Sequence, residues 1–376
     1  MLHAVLFSEP EVARTELLGW GEPGVHWLTE CSHPEAVASR ATVNRWYERF
    51  PDQDGRFAQR LGSEIDVDHL QALDELFVHQ ALCQRHDDVR YEEGGVGPDF
   101  RVYDNTKCIL AVEVATLFLR RDWRVEQQRH NRLADEVNRR VPLRHGYFVS
   151  FDIEAASAEP APRHFADWLT SELNKLPPHT DLIDVDRDRI PSVVYERSGV
   201  RISVRFFPMR ANAPTNPDTN TQIVATGKMT VGMVNSGIRL KDAVGKKGGD
   251  RYDIRGTPYI VAVGNRDSFL SDDVVSEGLY GGEAVRSATD DYSKHEVVRK
   301  NDGLFGVDHA RRQFRHRRIS AVAILSRVFL WEPAAADVAV YDNFSPEIAL
   351  PDDLFPATRR FGRVTSVGDF GWCPKN

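Results

Sequence analysis

The chain has 376 residues, 41% of them hydrophobic, enough to bury the core of one large domain or two modest ones. Its formal net charge of −8 argues against a protein that coats nucleic acid non-specifically, although a local basic groove is compatible with that total. The chain has no apolar run of about eighteen residues and no basic leader, which predicts a cytoplasmic protein without a membrane segment.

The first part of the chain is expected to form an N-terminal helical cap over residues 1–62. Helices are predicted over 34–50 and shortly after Pro51. A longer helix follows over 67–85, where apolar residues recur every three or four positions. Glu75 and His79 are four residues apart on this helix and share a face. They are either a solvated pair on its outer side or a source of polar groups for a site.

The next segment predicts a β-hairpin that carries two carboxylates. A short strand over 88–93 leads into Pro98-Asp99, and the following strand, 108–116, is apolar on both faces except at Glu113. If Asp99 and Glu113 lie side by side, they form a pocket for a hard divalent cation, Mg²⁺ or Mn²⁺. The alternative is a buried carboxylate that is paired with an arginine or capped by backbone amides, because an unpartnered buried charge is costly.

A basic helix is predicted over 122–140. Between positions 120 and 144 the chain has eight arginines and four acidic residues. Such a helix is either a solvated face or a contact for a phosphate backbone, for which Arg121 and Arg124 are the candidates. A strand over 145–151 and a helix over 165–176 are expected next.

The second half of the chain predicts an α/β extension over 222–376. It follows a hairpin with a Ser198-Gly199 turn and a proline- and asparagine-rich linker over 208–221. The extension's predicted elements are a helix over 236–247, a strand over 259–263, a helix over 272–279 and a strand over 319–330. These strands either extend the sheet of the first half or form a second layer.

The carboxylate hairpin resembles the PD-(D/E)xK nuclease superfamily, because Pro98-Asp99 is followed by a short hairpin and then by Glu113 in a hydrophobic strand. The resemblance implies an α/β fold with a restriction-endonuclease-like core of a helix, a three-stranded antiparallel meander, a helix and a strand, here over 63–207. It implies that Asp99 and Glu113 bind Mg²⁺, with Glu75 as a further acidic ligand. Large bacterial hypothetical proteins with this core and a C-terminal extension are also similar.

This chain departs from the family at one position. The family has a lysine two residues after the glutamate, which helps to orient or activate the attacking water, and Ala115 occupies that position here. Lys107 has the right parity but lies six strand residues from Glu113, about 20 Å away. Arg101 could reach the edge of the pocket, where it would only stabilise charge. Gln127, with its neighbour at 128, is the polar candidate on the following helix, and we assign it to the predicted catalytic set.

Two further basic segments could contact nucleic acid. Lys246 and Lys247 lie in a glycine-rich stretch that is otherwise a helix C-cap, and Arg311 and Arg312 begin an arginine cluster with interleaved aromatics that could also be a surface hairpin. The predicted nucleic-acid contacts are therefore Arg121, Arg124, Lys246, Lys247, Arg311 and Arg312.

The sequence thus predicts a Mg²⁺-dependent nuclease that hydrolyses phosphodiester bonds in nucleic acid, with DNA as the expected partner. The alternative is a catalytically inactive nuclease-like module that binds nucleic acid or serves in assembly. A cation from Lys246, Lys247 or His79 that converges on the carboxylate pocket favours the enzyme. A pocket that is filled by Arg101 or by an aliphatic residue favours the inactive module.

Overall fold

The computed structural model describes residues 5–362, apart from 12–13, 17, 94, 96, 119–120, 142–146, 177–189, 209–223, 227–235, 249–251, 268, 288–294 and 309. The chain divides into two compact units. Unit 1 comprises 1–12, 27–118 and 233–376, and unit 2 comprises 13–26 and 119–232. Among the described residues, no helix has the length and apolar character needed to cross a membrane.

The helices of the described residues are α1 (His26–Thr29), α2 (Pro34–Tyr47), α3 (Arg56–Leu61), α4 (Asp66–Cys83), α5 (Arg121–Arg140), α6 (Pro162–Leu173), α7 (Ser236–Lys247) and α8 (Asp272–Tyr280). The strands are β1 (Asp88–Tyr91), β2 (Phe100–Asp104), β3 (Lys107–Phe118), β4 (Tyr147–Ala156), β5 (Ser192–Arg197), β6 (Val200–Pro208), β7 (Val224–Thr226), β8 (Tyr259–Arg266), β9 (Glu283–Ser287), β10 (His295–Arg299), β11 (Val307–Asp308), β12 (Gln313–Phe314), β13 (Ala321–Ser326), β14 (Asp337–Asp342) and β15 (Arg359–Phe361).

Unit 1 is built on a mixed seven-stranded sheet in the order β1-β2-β3-β8-β13-β14-β15. The first three strands form an antiparallel meander, whereas β3, β8 and β13 run parallel to one another. The first six residues of β8 are fully buried and include the run Tyr259–Val263. A continuous apolar run of this kind is typical of a central parallel strand that is covered on both faces. The fold class is therefore α/β, as the sequence predicted.

Two helices cover opposite faces of this sheet. Leu240 and Val244 of α7 pack in one cluster with Val261 and Val263 of β8. Helix α4 contacts β3 and β8 on the other face, where α2 and α3, predicted from the sequence, pack against it. Because side chains alternate between the faces of a strand, odd-numbered residues of β8, and of β3 from Leu110 onward, point toward α7 and even-numbered ones toward α4. A bulge in β3 shifts the register before Leu110.

Unit 2 has its own sheet, in the order β5-β6-β4-β7. The predicted hairpin is present as β5 and β6, with Ser198 and Gly199 at φ +50° and +77° in the turn. Helices α5 and α6 contribute Leu133 and Phe165 to a core that also contains Phe151 of β4. This unit therefore has a hydrophobic cluster separate from that of unit 1.

The division of the chain differs from the predicted domains 1–62, 63–207 and 222–376. Helix α5 and strand β4, which were expected to complete the core over 63–207, belong to unit 2, where β4 pairs with β6 and β7. The helix and strand that follow the meander in unit 1 are α7 and β8. An alternating or apolar pattern identifies a strand but carries no information about its non-local partner. The strand predicted at 145–151, the nearest in sequence, was therefore expected to complete the core.

A close approach between α4 and β8 generates a stability prediction. Asp74 is fully buried and accepts hydrogen bonds from Thr116 Oγ1 at 2.8 Å and Arg266 Nη2 at 2.5 Å. A Cβ atom on Gly264 would lie 1.7 Å from Asp74 Oδ2. We therefore expect Gly264→Ala to lower the free energy of unfolding by about 3 kcal/mol through overpacking, as measured by urea denaturation.

Gly282→Ala is the matched control, because a Cβ there meets no atom closer than 3.8 Å, at the flexible side chain of Lys300. Equal unfolding midpoints for the two variants would contradict the assigned packing of Asp74 against Gly264.

Candidate active site

The β2–β3 hairpin brings Asp99 and Glu113 to the same end of the meander. Phe100 pairs with Val112, so that Asp99, one residue earlier, stands opposite Glu113 on the neighbouring strand. Asp99 Oδ2 accepts a hydrogen bond of 2.6 Å from the backbone N–H of Val114. The hairpin therefore holds both carboxyl groups on the face of the sheet that α7 covers.

The charges at this site act strongly on one another. Burial, followed by the negative charges of Glu113 and Glu75, raises the pKa of Asp99 to about 7. The hydrogen bond from Val114 and the positive charge of Lys247 act in the opposite direction and lower this pKa. Asp99 therefore lies close to two carboxylates and one ammonium, and without further positive charge it is about half protonated near neutral pH.

A lysine from α7 meets the carboxylate pair. Lys247, the last residue of α7, places its Nζ 2.5 Å from Glu113 Oε1. The Glu113 side chain is only 3% exposed, whereas that of Lys247 is 29% exposed. The helix end is held in place because Tyr259 OH donates to the Lys247 carbonyl at 2.7 Å. The next residue, Gly248, allows close packing, since a Cβ there would lie 2.4 Å from the Ile319 side chain.

The hydrogen-bond donors that contact Glu113 in the described part of the chain both reach the same carboxylate oxygen, Oε1. The Tyr252 hydroxyl donates to Oε1 at 3.1 Å, the same atom that Lys247 contacts. The other oxygen, Oε2, is buried and has no hydrogen-bond partner among the described residues. A buried carboxylate oxygen without a donor is costly. Tyr252 and Lys247 thus orient Glu113 so that Oε2 is available to a ligand.

Glu75 is buried and paired with an arginine. Arg60 donates to both carboxylate oxygens, at 3.0 Å to Oε1 and in a closer contact to Oε2, which also accepts from Tyr91 OH at 3.0 Å. Burial and then the charge of Glu75 raise the pKa of Tyr91, which keeps this phenol protonated. The predicted role of Glu75 as a metal ligand stays a prediction. The alternative of a solvated Glu75/His79 pair is wrong, because both residues are buried.

The other cation candidates of unit 1 have different partners. His79 packs against the rings of Phe50 and Phe100, and its buried imidazole has a pKa lowered to about 4, chiefly by desolvation. Arg101 pairs with Glu93 at 3.6 Å. Lys107 is exposed and stands opposite Asp104 in the strand register at the far end of the hairpin. Ala115 is buried on the face of Glu113.

Several predicted site residues lie in unit 2. Gln127 is on α5 and donates to Asn131 at 2.8 Å. Arg121 and Arg124 are also on α5, and their side chains fall outside the described residues. The assignments of Gln127 to catalysis and of the two arginines to nucleic-acid binding therefore stay predictions.

The basic segments of unit 1 divide into exposed and internally bonded residues. Lys246, Arg311 and Arg312 are exposed, with Arg311 3.7 Å from Asp308. The later arginines of the cluster donate instead to main-chain carbonyls, as Arg315 does to Asn301 and Gly303. These bonds indicate that the second half of the cluster stabilises loops.

The chemistry of the donor set fits a hard divalent cation. Asp99 and Glu113 supply oxygen ligands, which Mg²⁺ prefers, and the unpartnered Glu113 Oε2 is a natural contact for a cation. A cation would also lower the raised pKa of Asp99. The fit is limited to these two carboxylates, since no group of three or more His, Cys, Asp or Glu residues in the described part of the chain has a metal-holding arrangement.

Two functional contacts escaped the sequence analysis. Tyr252, in the loop after α7, carries no motif that distinguishes it from a core tyrosine, and Arg60 has no spacing relation to Glu75. Lys247 was recognised only as one of three residues able to converge on the pocket. Each contact joins elements far apart in the chain, the Lys247–Glu113 pair by 134 residues.

Comparisons with known proteins find no match: no family model matches this chain, and no curated protein sequence and no solved structure is significantly similar to it.

The raised pKa of Asp99 predicts a pH-dependent stability in metal-free buffer. A carboxyl with a pKa of 3.8 when unfolded and about 7 when folded binds more protons in the native state, so stability falls as the pH rises from about 4 to about 7. Asp99→Asn removes this titration. We expect the variant to gain on the order of 4 kcal/mol relative to wild type between pH 4 and 8.

Chemical denaturation at several pH values measures this difference. Asp104→Asn, which changes an exposed carboxylate on the same strand, serves as the control and should track the wild type. A constant difference between Asp99→Asn and wild type across this range would rule out the assigned electrostatic environment of Asp99.

Proposed function

We propose that unit 1 is a Mg²⁺-dependent nuclease that hydrolyses phosphodiester bonds in nucleic acid, with DNA as the expected substrate. The single observation that carries the proposal is the contact of Lys247 Nζ with Glu113 Oε1, 2.5 Å apart, beside Asp99. Two carboxylates and one lysine are the side chains that this chemistry needs. The lysine comes from α7 rather than from position 115.

The order of elements in unit 1 supports the proposal. A helix, three antiparallel strands, a helix and a strand parallel to the third are present as α4, β1, β2, β3, α7 and β8. This order resembles that of the restriction-endonuclease-like core, with residues 119–232 inserted in the sequence between β3 and α7. Likeness of element order is an argument about fold, and the argument for function rests on the side chains.

Each residue has a distinct role in the proposed reaction. Asp99 and Glu113 would hold the cation, which when bound lowers the pKa of water and offsets charge on the phosphate. Lys247 places an ammonium next to Glu113, where it can donate a hydrogen bond to a phosphate oxygen or to the attacking water. Tyr252 holds Glu113 in orientation through its hydrogen bond to Oε1.

One observation favours the inactive module as a second candidate. Glu113 and Glu75 are already neutralised by Lys247 and Arg60, so these two carboxylates have partners without a metal. A protein that had lost hydrolysis could keep the same contacts for stability alone. Activity and metal binding must therefore both be measured.

The first test is cleavage of plasmid DNA and single-stranded DNA in the presence of Mg²⁺ or Mn²⁺. We expect Asp99→Asn and Glu113→Gln to reduce the rate by about 100-fold or more, and Lys247→Met by a similar factor, because each removes charge stabilisation. Lys300→Met is the matched control, since this lysine of unit 1 is exposed and is not one of the predicted nucleic-acid contacts. Absence of cleavage by the wild type, or equal rates for all variants, would remove the enzymatic proposal.

The second test measures metal binding without activity. A cation that binds only the folded state raises stability by about 2.7 kcal/mol at a concentration 100 times its Kd. We expect Mg²⁺ or Mn²⁺ to raise the Tm of the wild type at pH 8, and this increase to be absent in Asp99→Asn and Glu113→Gln. If the metal shifts the Tm of all three proteins equally, the ion binds elsewhere. A normal shift without cleavage would favour the inactive module.

A further inference from the structure

A second concave surface lies along the hairpin that carries the carboxylate pair. The outer side of the β2–β3 hairpin and the loop 253–257 line a pocket of about 570 Å³. Its charged residues are three cations, Arg101, Lys107 and Arg255, and one acid, Asp253. A pocket of this size is large enough for a nucleotide-sized group, and its charge favours an anion.

The pocket is built from the same segments of chain as the candidate active site. Asp99 immediately precedes β2, and Arg101 and Tyr103 lie two and four residues further along it. The three residues share one face, so the strand leads from the carboxylates into the pocket. On the opposite wall, Tyr252, which contacts Glu113, immediately precedes the loop 253–257. The path from Asp99 to Tyr103 is four strand residues, or about 13 Å.

The loop that forms this wall is held in a defined conformation. Thr257 Oγ1 donates to the Cys108 carbonyl at 3.3 Å, and Arg318 Nη2 donates to the Tyr252 carbonyl at 3.2 Å. Gly256, at φ +74°, makes the turn. Contacts at both ends therefore place the Arg255 side chain on the rim of the pocket without any ligand.

The three cations of the pocket differ in exposure and in how closely each is paired with an acidic side chain. Arg101 is paired with Glu93, and its side chain is 19% exposed. Arg255 is 91% exposed and lies 4.0 Å from Asp253, a distance at which two solvated charges interact weakly. Lys107 is exposed at the start of β3. Arg255 and Lys107 thus have charge available for an anionic ligand.

We infer that this pocket binds the sugar–phosphate backbone of the substrate strand beside the scissile phosphate, with Arg255 and Lys107 as its phosphate contacts. The inference rests on the proposed function and specifies where the substrate lies. Arginine and lysine contacts to phosphate fix the position of a strand without reading its sequence. A path of about 13 Å corresponds to about four nucleotides at a rise of about 3.4 Å each. The proposed path does not include Arg311 and Arg312, the other predicted nucleic-acid contacts of unit 1.

Binding is tested separately from cleavage, in the full-length chain with Asp99→Asn and without divalent metal. The probes are fluorescein-labelled single-stranded DNA, duplex DNA and single-stranded RNA, and the readout is fluorescence anisotropy. In this background we expect Arg255→Glu combined with Lys107→Glu to raise the Kd of the preferred probe at least tenfold. The plot of log Kd against log salt should become shallower by about 1 to 2.

Arg56→Glu is the matched control. Arg56 is 84% exposed and lies 3.0 Å from Asp54, two residues earlier, which is the arrangement of Arg255 with Asp253. We expect it to change the Kd less than twofold. Arg311→Glu combined with Arg312→Glu is measured in the same background and reports separately on the surface predicted at these two arginines.

The outcomes separate this inference from the proposed function. A Kd that rises with the Arg255 and Lys107 changes but not with Arg56→Glu supports the pocket, whether or not the Arg311 and Arg312 changes also weaken binding. The inference is overturned if the pocket changes and the Arg56→Glu control have equal effects, if the Arg311 and Arg312 changes alone weaken binding, or if none of the probes binds. Cleavage by the wild type, measured in parallel, decides the proposed function independently.

Discussion

The pairing of Glu113 with Lys247 is the interaction on which the site in unit 1 depends. Glu113 lies in the interior of β3, a strand that is buried on both faces, and an ionised carboxylate there is costly without a partner. Lys247 can reach it because β3 and β8 are parallel neighbours and α7, which precedes β8, packs on their shared face. The site therefore exists only if this pairing of strands forms.

The same principle recurs at two buried acids of helix α4. Glu75 is paired with Arg60, and Asp74 with Arg266, in each case a carboxylate at 1–2% exposure with an arginine of 25–35% exposure. The carboxylates are buried, whereas the arginine side chains are partly exposed to solvent. Asp99 departs from this pattern, because its donor is the backbone N–H of Val114, and its pKa is raised to about 7. A site with unsatisfied negative charge at its centre and positive charge around it suits a cation and an anionic substrate together.

Local patterns in the sequence were sufficient to predict the β2–β3 hairpin. The parity of Asp99 and Glu113 follows from the two-residue period of strands, and the register Phe100 to Val112 has that parity. The lysine at the site could not be placed in this way. It lies 134 residues from Glu113, beyond the whole of the segment 119–232, and no periodicity relates the two. For the same reason the fourth strand was expected at 145–151, whereas the strand beside β3 is β8.

The sequence by itself determined the α/β class, most helices and strands, and the two carboxylates of the hairpin, because these depend on burial periods and turn residues within short segments. Only the tertiary structure decided which strand stands beside β3, which cation meets Glu113, and that Tyr252 and Arg60 are partners of Glu113 and Glu75. Those contacts are selected by the free energy of burying charged groups in a common interior, and this depends on the whole fold of the unit rather than on any local sequence.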